Sequence, residues 1–500
     1  MALTHTGPKG EQMNRSRRTL AAALGVLVLS SVVSSAVPAA AADPPSVRLL
    51  ASSTTLTVER DRRDFVWVDP GTWLASVGGA FELRATRADY DSPIELAQVD
   101  ATTGDPLRSL PADLLDGWYG LKDFVHISVR HGADRPVLRY PMPFCPNTWN
   151  RQRLNDAGPV TSRYPMFCSG GPFTRGMVWG IDDGWAVPAL SDSYYGIGWK
   201  AERNRYRIRV WIDPVYRPLL GISDADAEVV VMVSVVDGTA TSRVAARPEL
   251  TYARAASVPD VTDPDPATLP DLVALPAWSI DPYHSRRSGR DYLRFNATEW
   301  NAGPGTMVVE GFRDTDETAM DAFQYFYLGG EPVGRANIGS LEYHAGGGHN
   351  HWHFEEFTAY SLLDDAKQLV APSDKQSWCL ANTDAIDLAV PNANWQGYGG
   401  DLFTACGGPS ALWVREILDV GWGDTYVQYV AGQAFDITDL PNGTYYIRVH
   451  VNPLGAMFET TATNNVEDRL VILKGKPGNR RVEVPPWHGI DTEGCCPVEV

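Results

Sequence analysis

The chain has 500 residues, 44% of them hydrophobic and 21% charged, with a formal net charge of −18 at pH 7. That is a globular composition, and the length provides for two or three domains, each with its own core. A chain this acidic, with no basic run interleaved with aromatics, is a poor partner for nucleic acid. Residues 1–42 read as a secretion signal. Arg15, Arg17 and Arg18 form a basic n-region, residues 20–37 are apolar and rich in Ala and Ser, and the alanines before Asp43 offer a small-residue cleavage site. The pair Arg17-Arg18 is a weak match to twin-arginine export. Pro38 and the many small residues count against a membrane anchor, and no later stretch is long and apolar enough to span a bilayer. The expected mature protein is soluble and secreted.

Residues 43–252 read as a β-rich domain of unknown role. Short runs at 65–68, 81–86, 124–129, 206–212 and 227–236 carry Val, Ile, Phe and Trp, with Gly, Pro and Asp between them. One helical turn fits residues 113–118. The aromatics between Tyr140 and Tyr195, Trp149, Trp179 and Trp185 among them, are ordinary core candidates or a ligand surface. Residues 253–268 are a linker whose prolines and aspartates favour an extended chain. A second domain spans 269–474, with strands expected at 292–296, 307–310, 322–328, 349–355, 358–363, 426–429 and 445–451. Pro441-Asn-Gly is a turn feeding the last of these. Residues 475–500 form a tail containing Pro and Gly. The fold class is therefore all-β: two β-sandwich-like domains joined by a Pro/Asp-rich linker, with few short helices.

Six cysteines lie beyond the signal, and in an oxidising compartment they pair. Cys145 pairs with Cys168, which is close in sequence and similarly flanked. Cys379 pairs with Cys406. Cys495 and Cys496 are adjacent, and spacing does not decide their partners.

Four of the ten histidines fall between His344 and His353. Three alternate, at His349, His351 and His353. In a strand, residues i, i+2 and i+4 share one face, so three imidazoles stand in a row, roughly 6–7 Å apart at Cα. On a helix they would point to different sides. Trp352 and Phe354 would face the other way, into a core. Imidazole suits Cu, Zn, Fe and Ni, and three protein nitrogens leave a coordination position open for chemistry. A polar, solvated strand face is the plainer alternative.

Several separated pieces of the second domain, in order, resemble the catalytic domain of the lysyl oxidases, the copper-dependent protein-lysine 6-oxidases. They are Leu269-Pro-Asp-Leu-Val, Asp291-Tyr-Leu-Arg-Phe-Asn, Trp300-Asn-Ala-Gly-Pro-Gly, and Tyr343-His344 leading through the three histidines to Glu356-Phe and Tyr360-x-Leu-Leu-Asp364. Lys375-Gln-Ser-Trp-Cys-Leu380, Asp424-Thr-Tyr426 and Asp436-Ile-Thr-Asp439 follow, so the likeness covers about 269–473. The resemblance implies copper held by His349, His351 and His353, and a lysine tyrosylquinone made from Lys375 and Tyr426. It implies oxidation of a primary amine or a peptidyl-lysine by O2 to an aldehyde, releasing H2O2 and ammonia. It leaves His344 as an added ligand, an acid/base or a hydrogen-bond partner of a ligand, and Asp424 as a base, an orienting group for Tyr426 or a turn residue. Without the likeness, Lys375 would be a loop residue and Tyr426 a core residue. The interval from His344 to His349 is longer than in the animal enzymes, a Gly run replaces their cysteine-containing text, and the step from His353 to Glu356 is a residue shorter. Substrate choice and cofactor maturation are where these departures bear.

Two other readings compete. His349-x-His351-x-x-x-Glu355 fits the first metal motif of a cupin-like enzyme, but His450 follows Pro441-x-Gly443 too late for the second. A non-catalytic extracellular metal-binding or adhesion module would also hold a metal on the histidines, with Lys375 and Tyr426 far apart.

Overall fold

The computed structural model describes residues 43–494, apart from 52, 62, 133–135, 149, 155–158, 160, 169, 191–196, 203, 238–257, 314–317, 347–348, 356, 373–376, 398–401, 408–410, 412 and 431. For 153, 345, 346, 349, 350 and 413 it describes the backbone alone. The signal-like segment, Trp149, Lys375, Glu356, Cys495 and Cys496 therefore lie outside the described residues. Strands dominate both halves, so the all-β expectation holds. No helix among the described residues is long and apolar enough to cross a membrane.

In the N-terminal half, five strands make one sheet in the order Thr55–Arg60, Glu228–Asp237, Arg205–Ile212, Leu121–His131, Leu138–Phe144. Alternation assigns the faces: Tyr206, Ile208, Val210 and Ile212 are buried, while Arg205 and Arg207 are exposed. A second sheet joins Gly176–Ile181, Phe81–Thr86, Glu95–Val99 and Pro106–Leu110. The turn expected at 113–118 is a 3-10 turn at Ala112–Leu114. A short α-helix, Tyr216–Leu220, ends on Gly221 at φ 67°, the left-handed conformation that glycine adopts without penalty.

The C-terminal half holds three sheets. One orders His349–Phe354, Glu331–Gly346, Ala319–Leu328, Met307–Phe312 and Trp413–Leu418. The next pairs Arg290–Asn301 with Trp422–Tyr426, which in turn pairs with Asp384–Ala385. The third runs Leu369–Pro372, Thr358–Leu363, Gly443–Val451, Val466–Lys476, Asn479–Glu483. The strand expected at 426–429 instead ends at Tyr426. Gln428 N–H is diverted to Asn296 Oδ1, and Val430 N–H closes a turn onto Val427 O.

The described part of the linker is docked. Val261 N–H donates to Arg335 O, Arg335 N–H donates to Pro259 O, and the Arg335 guanidinium holds Asp260 at 2.8 Å. Backbone donors and acceptors seek partners, and the Glu331–Gly346 strand supplies them here. The tail is also ordered through residue 494. Asn479–Glu483 extends a sheet, and the Trp487 ring packs 4.5 Å from Tyr90 in the other half.

Candidate active site

The histidine strand, His349–Phe354, forms a hairpin with Glu331–Gly346. The register places Glu342 opposite His353, His344 opposite His351, and Gly346 opposite His349. Opposed residues in an antiparallel pair share a face. One face of this hairpin therefore carries Glu342, His344, His351 and His353. The other buries Leu341, Trp352 and Phe354 in the core, each at most 2% exposed. A one-residue slip would exchange the faces, and losing the burial of Phe354 alone would cost about 1.5–3 kcal/mol. Hydrophobic burial thus sets which way the imidazoles point.

His353 is fully buried. Its ring centroid lies 4.8 Å from that of His351 and 4.4 Å from that of His344, on which it stacks. Ser377 Oγ is hydrogen-bonded to His353 Nδ1 at 3.1 Å. A bond at one ring nitrogen fixes ring orientation and tautomer, and it makes the other nitrogen, Nε2, the candidate metal donor. His344 Nε2 lies 3.2 Å from Glu355 Oε1. The ligand atoms of Glu342, His344 and Glu355 all fall within 4.8 Å of one another. Two described imidazoles of the predicted trio and their carboxylate-flanked neighbour form a donor set that copper accepts. The His349 backbone lies on the same strand, and its side chain is outside the description.

The segment 377–381 connects this face to the predicted tyrosine. Trp378 exchanges two backbone hydrogen bonds with Phe354, at 2.7 and 3.0 Å. Its next three N–H groups then point the other way: Cys379 N–H donates to Tyr426 Oη at 2.8 Å, Leu380 N–H to Glu416 Oε2 at 3.1 Å, and Ala381 N–H to Asp424 Oδ2 at 3.2 Å. The disulfide Cys379–Cys406 ties the segment down, and Cys406 O accepts from Trp352 N–H on the histidine strand. That pairing, like Cys145–Cys168, is the one expected. Cys379, Cys406 and Glu416 converge closely enough for a metal, but the disulfide occupies both sulfurs.

Tyr426 lies at the end of its strand, half-buried. Its ring is 4.1 Å from Trp378 and 6.4 Å, edge to face, from His353. Glu299, Glu416 and Asp424 surround it, each at most 1% exposed. Burial, then the charge of Asp424, pushes the Tyr426 phenol well above its usual range. Burial likewise pushes the Glu416 carboxyl well up. The site is an acid-lined pocket around a phenol, the character that suits a cationic guest.

The structure thus brings together His351, His353 and Tyr426 of the predicted residues. Lys375, two positions before Ser377, lies outside the described residues. Sequence reading missed Ser377, Trp378, Glu299 and Glu416. Ser377 and Trp378 sit inside a quoted motif, but Glu299 and Glu416 stand in strands that alternate without any motif to single them out.

Comparison with known proteins bears on the same stretch. The lysyl oxidase family model matches residues 333–478. Human lysyl oxidase homolog 1 is 36% identical over 120 residues, which is 24% of this chain and 18% of the relative. Pig protein-lysine 6-oxidase is 34% identical over 120 residues, 24% of this chain and 42% of the relative. Human lysyl oxidase homolog 2 is 30% identical over 119 residues, 24% of this chain and 13% of the relative. The chain spans less than half the length of each of these relatives. The matched stretch includes the histidine hairpin, the 377–381 segment and Tyr426, so residues 333–478 are similar to the lysyl oxidase domain.

Proposed function

We propose that this protein is an exported copper-dependent amine oxidase that converts primary amines, peptidyl-lysine foremost, to aldehydes. The overall change is amine plus O2 plus water giving aldehyde, ammonia and H2O2. Copper would be held by His349, His351 and His353, and the organic cofactor would be a lysine tyrosylquinone formed from Lys375 and Tyr426. One observation carries the reading. The Tyr426 hydroxyl is pinned by the Cys379 N–H, four residues after Lys375, while its ring faces His353 at 6.4 Å. The printed name protein-lysine 6-oxidase of a relative supports the substrate class. The export step rests on the signal-like residues 1–42.

The imidazole donors fit copper, and the metal with its quinone would supply the two-electron redox chemistry that protein side chains lack. The chain's own residues would do the rest. Ser377 would hold His353 by Nδ1. The Cys379 N–H would fix the tyrosine oxygen, and Trp378 would cover the ring and exclude water. Glu299 and Asp424 would draw in the substrate's ammonium by their field.

The test is redox-cycling quinone staining of protein purified from copper-grown cells, with a peptide mass spectrum sought for a Lys375–Tyr426 cross-link. Tyr426→Phe and Lys375→Ala are each expected to abolish the stain and the cross-link while copper content stays at the wild-type level. Staining that persists in either variant overturns the quinone assignment and leaves a metal-holding module.

A further inference from the structure

We propose that the outer face of the five-stranded N-terminal sheet is a binding site for a linear acidic polysaccharide, whose carboxylates are taken by Arg130, Arg139, Arg205 and Arg207. This site lies outside residues 333–478 and is independent of the oxidase reading.

Sheet register builds the site. Arg130 stands directly opposite Arg207 on the neighbouring strand, Ser128 lies between Arg209 and Arg139, and Arg205 opposes Ser234. All these side chains share the face turned away from the core. Arginines directly opposed across a sheet repel each other. Among the described residues, no acidic side chain pairs with Arg130, Arg139, Arg205 or Arg207. Two carboxylates stand on this face: Glu228, already held by Arg209 in two bonds of 2.7 and 2.5 Å, and Glu59, exposed on the Thr55–Arg60 strand opposite Val236. The other nearby acid, Asp213, is engaged by His126 at 2.6 Å. A chain carrying a net charge of −18 nevertheless keeps on one sheet a row of guanidinium groups with no salt-bridge partner among the described residues. An external anion relieves that repulsion.

One of the four, Arg139, is also held in place. Trp211, nearly buried, lies under Arg209 at 4.5 Å and Arg139 at 5.6 Å, with the His126 ring stacked on it at 5.2 Å. A guanidinium fixed over a ring loses little freedom when it takes a carboxylate in its fork. Arg130 and Arg207 line a cavity of about 440 Å³ together with Ser128, Gly132, Arg209 and Glu228. That volume falls within the range that holds a small ligand or a few sugar units. Shape and chemistry select among polyanions. A concave, hydroxyl-bearing cavity is not contacted by a planar lipid surface. Among the described residues the face presents no exposed aromatic ring on which a base would stack, which disfavours single-stranded nucleic acid. A flexible chain of carboxylated sugars meets both conditions.

The experiment measures binding of the full chain to polygalacturonate, against neutral dextran, phosphatidylglycerol–phosphatidylcholine vesicles and single-stranded DNA. Wild type is expected to bind polygalacturonate and not dextran, with affinity falling as salt rises from about 0.05 to about 0.3 M. The double variant Arg130→Gln/Arg207→Gln is expected to lose at least about tenfold in affinity with melting temperature unchanged, since hydrogen-bonded charge pairs of this kind carry such factors. Arg205→Gln, at the exposed end of the same row, is expected to lower affinity in the same direction and serves if the double variant melts early. Arg481→Gln, exposed on the far sheet, is expected to bind as wild type. Equal polygalacturonate binding by wild type and the row variants overturns the proposal. So does wild-type binding confined to the vesicles or to the DNA.

Discussion

Glu416 shows how one residue sets the chemistry of the pocket. The strand Trp413–Leu418 presents Arg415 and Glu416 to opposite faces. Arg415 is committed to Glu310 through bonds of 2.5–2.8 Å, so its charge does not neutralise Glu416. Glu416 has only the Leu380 and Phe354 backbone N–H groups against its burial, which outweighs them and pushes its carboxyl well up. The stability consequence has a definite sign. An unfolded glutamate loses its proton near about pH 4.3, whereas the folded one keeps it to higher pH. The stabilisation is complete below the unfolded value and is lost as pH rises toward the folded one, at about 1.4 kcal/mol per pH unit inside that window. Glu416→Gln has no proton to lose. Its melting temperature relative to wild type is expected to climb as pH rises above about 4.3. A difference that stays flat across that range would mean that the carboxyl is ionised in the fold and compensated.

At the scale of elements, the segment 377–381 joins a strand of histidines to a strand ending in a tyrosine, using backbone N–H groups on both sides. The disulfide Cys379–Cys406 closes a loop with a sequence separation of 27, and it anchors this segment directly at the residue that holds Tyr426. Closing a loop of that length stabilises by about 3–4 kcal/mol in the chain-entropy account. Cys379→Ser/Cys406→Ser is expected to lose about that much in chemical denaturation and to lower quinone yield, while Cys145→Ser/Cys168→Ser destabilises without changing the yield. An equal fall in yield for both pairs would show that general stability, not the anchor, governs maturation. Much of this was legible in the chain. Period-two histidines flanked by Trp352 and Phe354 state a strand and its faces, and the spaced cysteines state their pairing. What was not legible is what depends on long-range register. The strand Glu331–Gly346 is rich in glycine, and with Gly339 at φ 128° it carries no period-two signal, so Glu342 came into the site unannounced, and the three roles open to His344 could not be separated without the register that sets it opposite His351. Tyr426 was expected to begin a strand and instead ends one, because the pairing that decides this comes from residues 297–300. Glu299 and Glu416 become notable only once their strands are seen to face the phenol.

For the molecule as a whole, residues 44–500 behave as one compact unit, and the halves meet close to the site. Arg175 N–H and Gly176 N–H both reach Ile386 O, Leu388 N–H returns to Gly176 O, and Thr174 Oγ1 donates to Ala385 O. The receiving stretch also pairs with the tyrosine strand, Asp384 opposite Gly423 and Ala385 opposite Trp422. The N-terminal half therefore supports the Tyr426 strand through a single intervening segment. Gly176 makes this approach possible: a Cβ there would lie 2.2 Å from Asp387 Oδ1 and 2.9 Å from the Ala389 Cβ. Because buried side chains of both halves share one core, heating the wild type is expected to give one cooperative transition. Gly176→Val is expected to lower that transition as a whole, at an overpacking cost of about 1–3 kcal/mol, and to reduce quinone yield by displacing the segment under Tyr426. Calorimetry with a quinone assay on the same samples decides it. Two separate transitions, of which the substitution shifts only the one belonging to the N-terminal half, with quinone yield intact, would mean that the halves are independent and the support mechanical coupling in appearance only.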